Sequence, residues 1–238
     1  MNAKEATLLT ARWAHIKAFH DEHGWSRHLA PHRDLLERLY VEGSKAEAKK
    51  KLVPGELGLL DQALECTYSE VWADATTDLL QAWHTFAQKE IAAWVERTMA
   101  HPKAEMRWHL IQISGAFTNA DLRDTILRTG LQDRSTRVRE FAADRIVSGV
   151  HKHLLPELRA AHARTKSSEE RERLEWDCQM LEKGYLTVPR PEQNQVEIQV
   201  QIPGAFITTS FDRSEVERRG EATLVQRMIK EHQRVHGK

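Results

Sequence analysis

His101-Pro-Lys-Ala-Glu-Met-Arg107 aligns with Asp133-Arg-Ser-Thr-Arg-Val-Arg139, and each heptapeptide runs on into an apolar helical stretch. The offset of 32 residues is one helical hairpin with its turns, a period that marks a solenoid. A unit of that size cannot bury its own apolar face. It must stack on its neighbours, and stacking builds a long surface suited to holding a macromolecule.

Working outward, the same texture extends in both directions. Residues 3–21 read as an amphipathic helix through Leu8, Leu9, Trp13, Ile16 and Phe19 or His20, stopped by Gly24. A second helix opens at Pro31 and runs through Leu35, Leu36, Leu39 and Tyr40 to Gly43. Lys45 to Leu52 reads as a solvated short helix or loop, closed by Pro54 and Gly55. From Leu59 to Ala100 there is neither proline nor glycine. The repeat alignment asks for a hairpin break near Ala87. The eleven-residue spacing of Trp72, Trp83 and Trp94 instead suits one continuous helix. We place the break at Ala87.

Beyond His101-Pro102, one helix carries Met106, Leu110, Ile113 and Phe117. Thr118 or Asn119 caps the next, which Gly130 ends, and Asp133 or Ser135 opens a helix bearing Val138, Ala142, Ile146 and Val150. Another begins at Pro156. Ser167 and Glu170 form a capping box before Leu174, Cys178 and Leu181, with Gly184 as the stop.

The texture then changes. Thr187 to Gln195, with Pro189 and Pro191, has the composition of a linker. Val196, Ile198, Val200 and Ile202 alternate with Gln195, Glu197, Gln199 and Gln201, which is strand periodicity. Pro203-Gly204 turns the chain back through Ala205 to Phe211. A last helix, capped by Ser214 and Glu217, carries Val216, Leu224, Val225, Met228, Ile229 and Val235. The expected organisation is a helical solenoid over residues 1–186, followed by a linker, a β-hairpin and a C-terminal helix over 187–238. A lone hairpin is marginal in water, so this segment is expected to dock on the helices before it.

Composition excludes some classes. Lys+Arg and Asp+Glu both total 35, so no global field draws the chain to nucleic acid or to an anionic membrane. Cys66 and Cys178 fit no Cys-x-x-Cys pattern and sit beside apolar residues, as two buried thiols in a reducing compartment would. Met1-Asn-Ala-Lys-Glu-Ala lacks the apolar core of a signal peptide, and no apolar run approaches ~18 residues. A soluble, cytoplasmic protein without membrane contact is expected.

Asp133 and Arg139, with Val138, Ala142, Ala143 and Ile146, resemble a HEAT repeat. Arg107 repeats the arginine while His101 replaces the aspartate, and the unit from Pro156 matches only in its apolar spacing; the likeness covers roughly residues 88–184. It implies an α-solenoid of stacked antiparallel hairpins that binds proteins or nucleic acid, with the Asp and Arg joining repeat to repeat, and implies no reaction.

Signatures of chemistry are sparse. His20/His23, His28/His32 and His232/His236 have spacings that could share a metal, but Pro31 interrupts one pair and the terminus frays around another, so no metal and no cofactor is expected. No Gly-rich phosphate loop and no Gly-x-Ser-x-Gly occur. The expectation is a non-enzymatic protein-binding module: an adaptor, an assembly factor or an immunity-type neutralising protein. Its partner surface is expected along the second helices of the hairpins, through Arg107, Arg137, Glu140, Asp144, Arg145, Arg173 and Asp177. Mixed charge there favours another protein over nucleic acid. The alternative is a HEAT-like nucleic-acid enzyme such as a DNA alkylation-repair glycosylase, using Arg137, Arg139, Arg145, Trp108, Trp176 and Asp144. Glu140, Asp144, Glu172 and Asp177 interrupt the basic groove that phosphate would want.

Overall fold

Two side chains hold the start of the first helix, α1 (Leu8–His23), in the computed structural model, which describes residues 7–27, 30–52, 54–65, 75–202 and 205–236. Thr7 Oγ1 accepts from the Thr10 N–H at 3.1 Å, and the buried Glu47 carboxylate accepts from the Leu8 and Leu9 N–H groups at 3.1 and 3.2 Å. These are donors that the first turn of a helix cannot satisfy itself. Glu47 belongs to α2 (Arg33–Lys49), which runs past Gly43 where the sequence reading stopped it. Gly43 is interior because a Cβ there would strike the Leu79 side chain, and Trp83 Nε1 donates to its carbonyl at 3.3 Å. The stretch from Lys45, read as a solvated short helix or loop, is helix to Lys49 as the end of α2, with Ala46 and Glu47 buried. Cys66, Tyr68, Trp72, His28 and the Pro203-Gly204 turn lie outside the described residues.

The described residues are mainly helical, with one three-stranded antiparallel sheet late in the chain. No helix among them is long and apolar enough to cross a membrane. By internal contacts the chain divides into two compact units, 1–142 and 143–238. The sequence reading had placed its division at 186/187.

In the first unit, α3 (Pro54–Glu65) and α4 (Thr76–Trp83) lead to a break and then α5 (Gln88–Met99). Ala87 precedes α5 directly, where the repeat alignment put it. From there the chain keeps strict time. α5, α7 (Ala120–Leu131) and the one-turn helix Lys152–Leu154 that leads into α9 (Leu155–Arg164) begin at 88, 120 and 152. α6 (Ala104–Gln112), α8 (Thr136–Ser148) and α10 (Ser168–Lys183) begin at 104, 136 and 168. The unit boundary falls inside α8.

This regularity includes a third unit that the sequence reading credited only with apolar spacing. Arg107 donates to the His101 carbonyl at 2.5 Å, Arg139 to the Asp133 carbonyl at 2.8 Å, and Arg171 to the Thr165 carbonyl at 3.0 Å. In each case an arginine in the second helix clamps the turn before it. Trp94, Ile126 and Leu158 occupy one buried frame position, and Leu110, Ala142 and Leu174 another. Asn119 Oδ1 caps α7 by accepting from Leu122 N–H at 3.1 Å, and Gly184 ends α10 in the left-handed region. Gly130 does not end α7. It lies one residue inside, where a Cβ would come within 2.5 Å of Ile111 and 2.8 Å of Ala142, so it permits close helix contact.

In the second unit, α10 leads directly into β1 (Tyr185–Arg190), which occupies part of the expected linker. β1 pairs with β2 (Gln195–Ile202), and β2 with β3 (Ala205–Asp212). Pro189 is tolerated because β1 is an edge strand, where a missing N–H can face outward. Val196, Ile198, Val200 and Phe211 make one sheet face and form a core with Leu224, Val225 and Met228 of α12 (Glu221–His236). Between them α11 (Arg213–Arg219) follows Asp212 without the expected Ser214 cap, and Gly220 at positive φ divides the expected C-terminal helix into two. The other sheet face carries Leu186, Gln199, Gln201 and Phe206. Gln201 Nε2 donates to the Val147 carbonyl of α8, which ties this face to the helices before it.

Candidate interaction groove on α10

The second helices α6, α8 and α10 carry the seven residues read as a partner surface, and the structure treats them differently. Arg107 on α6 leaves that surface. Its guanidinium donates through Nε to Asp133 Oδ2 at 2.6 Å and through Nη2 to Oδ1 at 2.8 Å, while Nη1 reaches the His101 and Pro102 carbonyls. The two side chains are only 3% and 7% exposed. A fork-to-fork pair of this kind joins the turn of one hairpin to the helix of another and is architecture. The expected repeat-to-repeat link thus exists, with Asp133 reaching back to Arg107. Burial alone would raise the Asp133 carboxyl, but the Arg107 hydrogen bonds, the Ser135 N–H and the Arg107 charge outweigh it and hold the group below its usual range.

In the first unit Arg137 is exposed on α8, yet its guanidinium lies 4.4 Å over the Trp108 ring, against whose edge Phe141 packs at 4.8 Å. Glu140 is half-buried. Arg139 is tied to its own turn and to Thr136 Oγ1. Trp108, Arg137 and Arg139, three of the residues named for base chemistry, are thus engaged with one another or with their own turn.

In the second unit Asp144, Arg173 and Asp177 converge on one groove of about 470 Å³. Arg145 is half-buried on α8 and does not line it. The groove runs between α10 and the sheet, with Asp144 and Val147 of α8 beside it. Along α10 the residues facing it recur at three and four: Glu169, Glu172, Arg173, Trp176, Asp177 and Met180. Val147, Met180 and Leu186 are buried and supply an apolar floor. Trp176 and Phe206 remain 43% and 53% exposed, large rings left in water at the groove wall. The rim carries four carboxylates, Asp144, Glu169, Glu172 and Asp177, against the single guanidinium of Arg173.

Glu172 and Trp176 were named only in weighing the nucleic-acid alternative, and Val147, Glu169, Met180, Leu186, Gln199 and Phe206 were not read as site residues at all. Phe206 left a signal, because it pairs with Gln201 in register and so sits on the glutamine face of the sheet. An aromatic ring on the polar side of an amphipathic strand calls for an explanation, as does Trp176 amid Glu172, Arg173 and Asp177.

The Cys178 thiol and several histidines pack against neighbouring groups. Cys178 is a buried free thiol on the inner side of α10. Burial, and after it the Glu175 and Asp177 carboxylates, push it up to about 11, so it stays protonated and unreactive near neutral pH. His20 stacks on Trp25 and His23 on Phe19, and Phe19 also meets His20 edge to face. His232 and His236 lie ring against ring at 4.5 Å on the last turns of α12. His109 Nδ1 donates to the Leu64 carbonyl at 2.7 Å.

The groove thus combines a floor of apolar side chains, two exposed rings and a charged rim. No family model matches this chain, and neither does any curated protein or any solved structure.

Proposed function

We propose that this chain is a non-catalytic, protein-binding helical-repeat module of HEAT type, and that its partner seats in the groove on α10. Support for the repeat type comes from the 32-residue timing of the hairpins and from the Arg107–Asp133 link between turns. One observation carries the binding reading: Trp176 and Phe206 stand exposed beside a buried apolar floor, inside a ring of charge. Exposed aromatic anchors around a desolvated centre are where binding energy concentrates in protein interfaces. An adaptor, an assembly factor and an immunity-type neutralising protein each need no more than such a surface. The setting we propose is the cytoplasm, where the Cys178 thiol stays reduced.

Nucleic acid fits this groove poorly, since four carboxylates would meet the phosphates and only Arg173 would welcome them. Co-purification from the native host tests the reading, with wild type compared against a Trp176→Ala/Phe206→Ser variant of equal melting temperature. A stoichiometric protein retained by wild type and lost by the variant is the expected result. Equal retention by both would move the site off α10. Retardation of duplex DNA at ~50 mM salt, together with strand damage at alkylated bases, would replace the reading with the glycosylase alternative.

A further inference from the structure

The groove's charge identifies its occupant. We propose that it takes a basic linear segment of the partner, with an arginine or lysine of that segment laid on the Trp176 ring and a neighbouring apolar side chain entering the floor beside Phe206. This rests on the protein-binding reading and gives it a chemical partner.

Three features converge. The rim holds Asp144, Glu169, Glu172 and Asp177 against one arginine, an excess of negative charge around a single concavity, in a chain whose total charge is zero. The field is therefore local, and it selects a cationic partner for this face specifically. Trp176 is the side chain whose exposed face best attracts a cation, and it stands in the same α10 stripe as Glu172 and Asp177. A guanidinium or ammonium stacked there would gain the ring and nearby carboxylates together. The floor of Val147, Met180 and Leu186 is apolar and lies in an open groove, so an aliphatic or aromatic side chain next to the cation can pack on it. A groove of about 470 Å³ is the size for a few side chains of an extended or single-turn segment, and too small for a folded face.

The pattern also says what is rejected. An acidic segment would set carboxylate against carboxylate at four rim positions. Because the rim is open to solvent, its contribution is screened, and association should slow as salt rises.

Selection from a library of random short displayed peptides tests this, using the full-length protein as bait. Wild type is expected to enrich peptides that pair Lys or Arg with a large apolar residue. Trp176→Ala is expected to weaken the enriched peptides by about tenfold, the loss of one desolvated cation–ring contact. Asp144→Lys/Glu172→Lys keeps both rings and changes only exposed side chains, so it serves as the second variant if Trp176→Ala alters melting. It should abolish the preference for cations. Enrichment of acidic or uncharged peptides by wild type would overturn the proposal, as would cationic peptides that bind both variants unchanged. Failure to enrich any peptide would also overturn it. In that last case the wider protein-binding reading still stands or falls on co-purification, so the two failures are distinguishable.

Discussion

Helices α6 and α10 hold the same place in hairpins two periods apart, and they spend their polar residues in opposite ways. Arg107 and His109 of α6 correspond, at 32-residue steps, to Arg171 and Arg173 of α10. On α6 both are buried: Arg107 is locked to Asp133, and His109 to the Leu64 carbonyl of α3. On α10 both are exposed, and Arg173 stands on the rim of the groove. The repeat frame fixes where a side chain points, while the neighbouring element decides whether that direction is core or surface. In the first unit Asp133 supplies that neighbour for Arg107, and α3 supplies it for His109. In the second, the space beside α10 is left as a groove with two rings in it.

The sharpest way to break this contrast is at Asp133. Removing it leaves the Arg107 guanidinium buried with its charge uncompensated, so Asp133→Ala is expected to destabilise by about 3–5 kcal/mol. Chemical denaturation measures it, and a loss of no more than a few tenths would mean that the pair is ornamental. The same group sets an acid limit. Its folded value lies below the unfolded one, so its contribution is fully present above about pH 4 and is lost as pH falls through the folded value. Wild type should therefore lose more stability below about pH 4 than Asp133→Asn does, in acid titrations followed by circular dichroism.

What the sequence disclosed follows the same division. The turn at Asp133 was legible because its heptapeptide repeats the one at His101 and because Asp133 and Ser135 are residues that open helices. The turn at Thr165 was not, because threonine carries no charge to announce it, although Arg171 makes the same clamp. β2 declared itself through alternation. β1 did not, because Pro189 and Pro191 imitate a linker, and only its position at a sheet edge makes proline harmless. Gly43 and Gly130 looked like helix ends, since glycine's conformational freedom and its lack of a side chain are the same letter. The groove was half visible. Its α10 residues lay on a readable polar face, but whether such a face is covered depends on distant elements, and α6, read the same way, proved to be covered.

A subtler probe of the buried side of the contrast is His109. Burial, opposed by its bond to the Leu64 carbonyl, keeps the imidazole's pKa below its usual value, so the folded state prefers it neutral. The unfolded chain binds the proton more readily. Stability on this account is complete above about pH 6.5 and declines as the pH falls below it. His109→Gln retains an N–H for Leu64 and cannot titrate. Between about pH 7 and pH 5.5 its melting temperature should fall less than that of wild type. Parallel curves for the two proteins would mean that His109 is as free to protonate in the fold as outside it.

The smallest effect is expected at Arg171, and it tests whether the turn clamp matters once burial is taken away. Its guanidinium meets the Thr165 carbonyl at 3.0 Å, as Arg107 and Arg139 meet theirs, but it does so in solvent. Thr165 offers no carboxylate, and its hydroxyl is already committed to Glu170 at 2.7 Å. An exposed hydrogen bond to a charged donor competes with water, so Arg171→Ala is expected to cost no more than about 1 kcal/mol. Arg107→Ala strands the buried Asp133 carboxylate and should cost several times as much. Denaturation of the two variants side by side gives the ratio directly. If Arg171→Ala proved as damaging as Arg107→Ala, the clamp itself would be the stabilising element of every hairpin. Burial with Asp133 would then no longer explain why α6 and α10 differ.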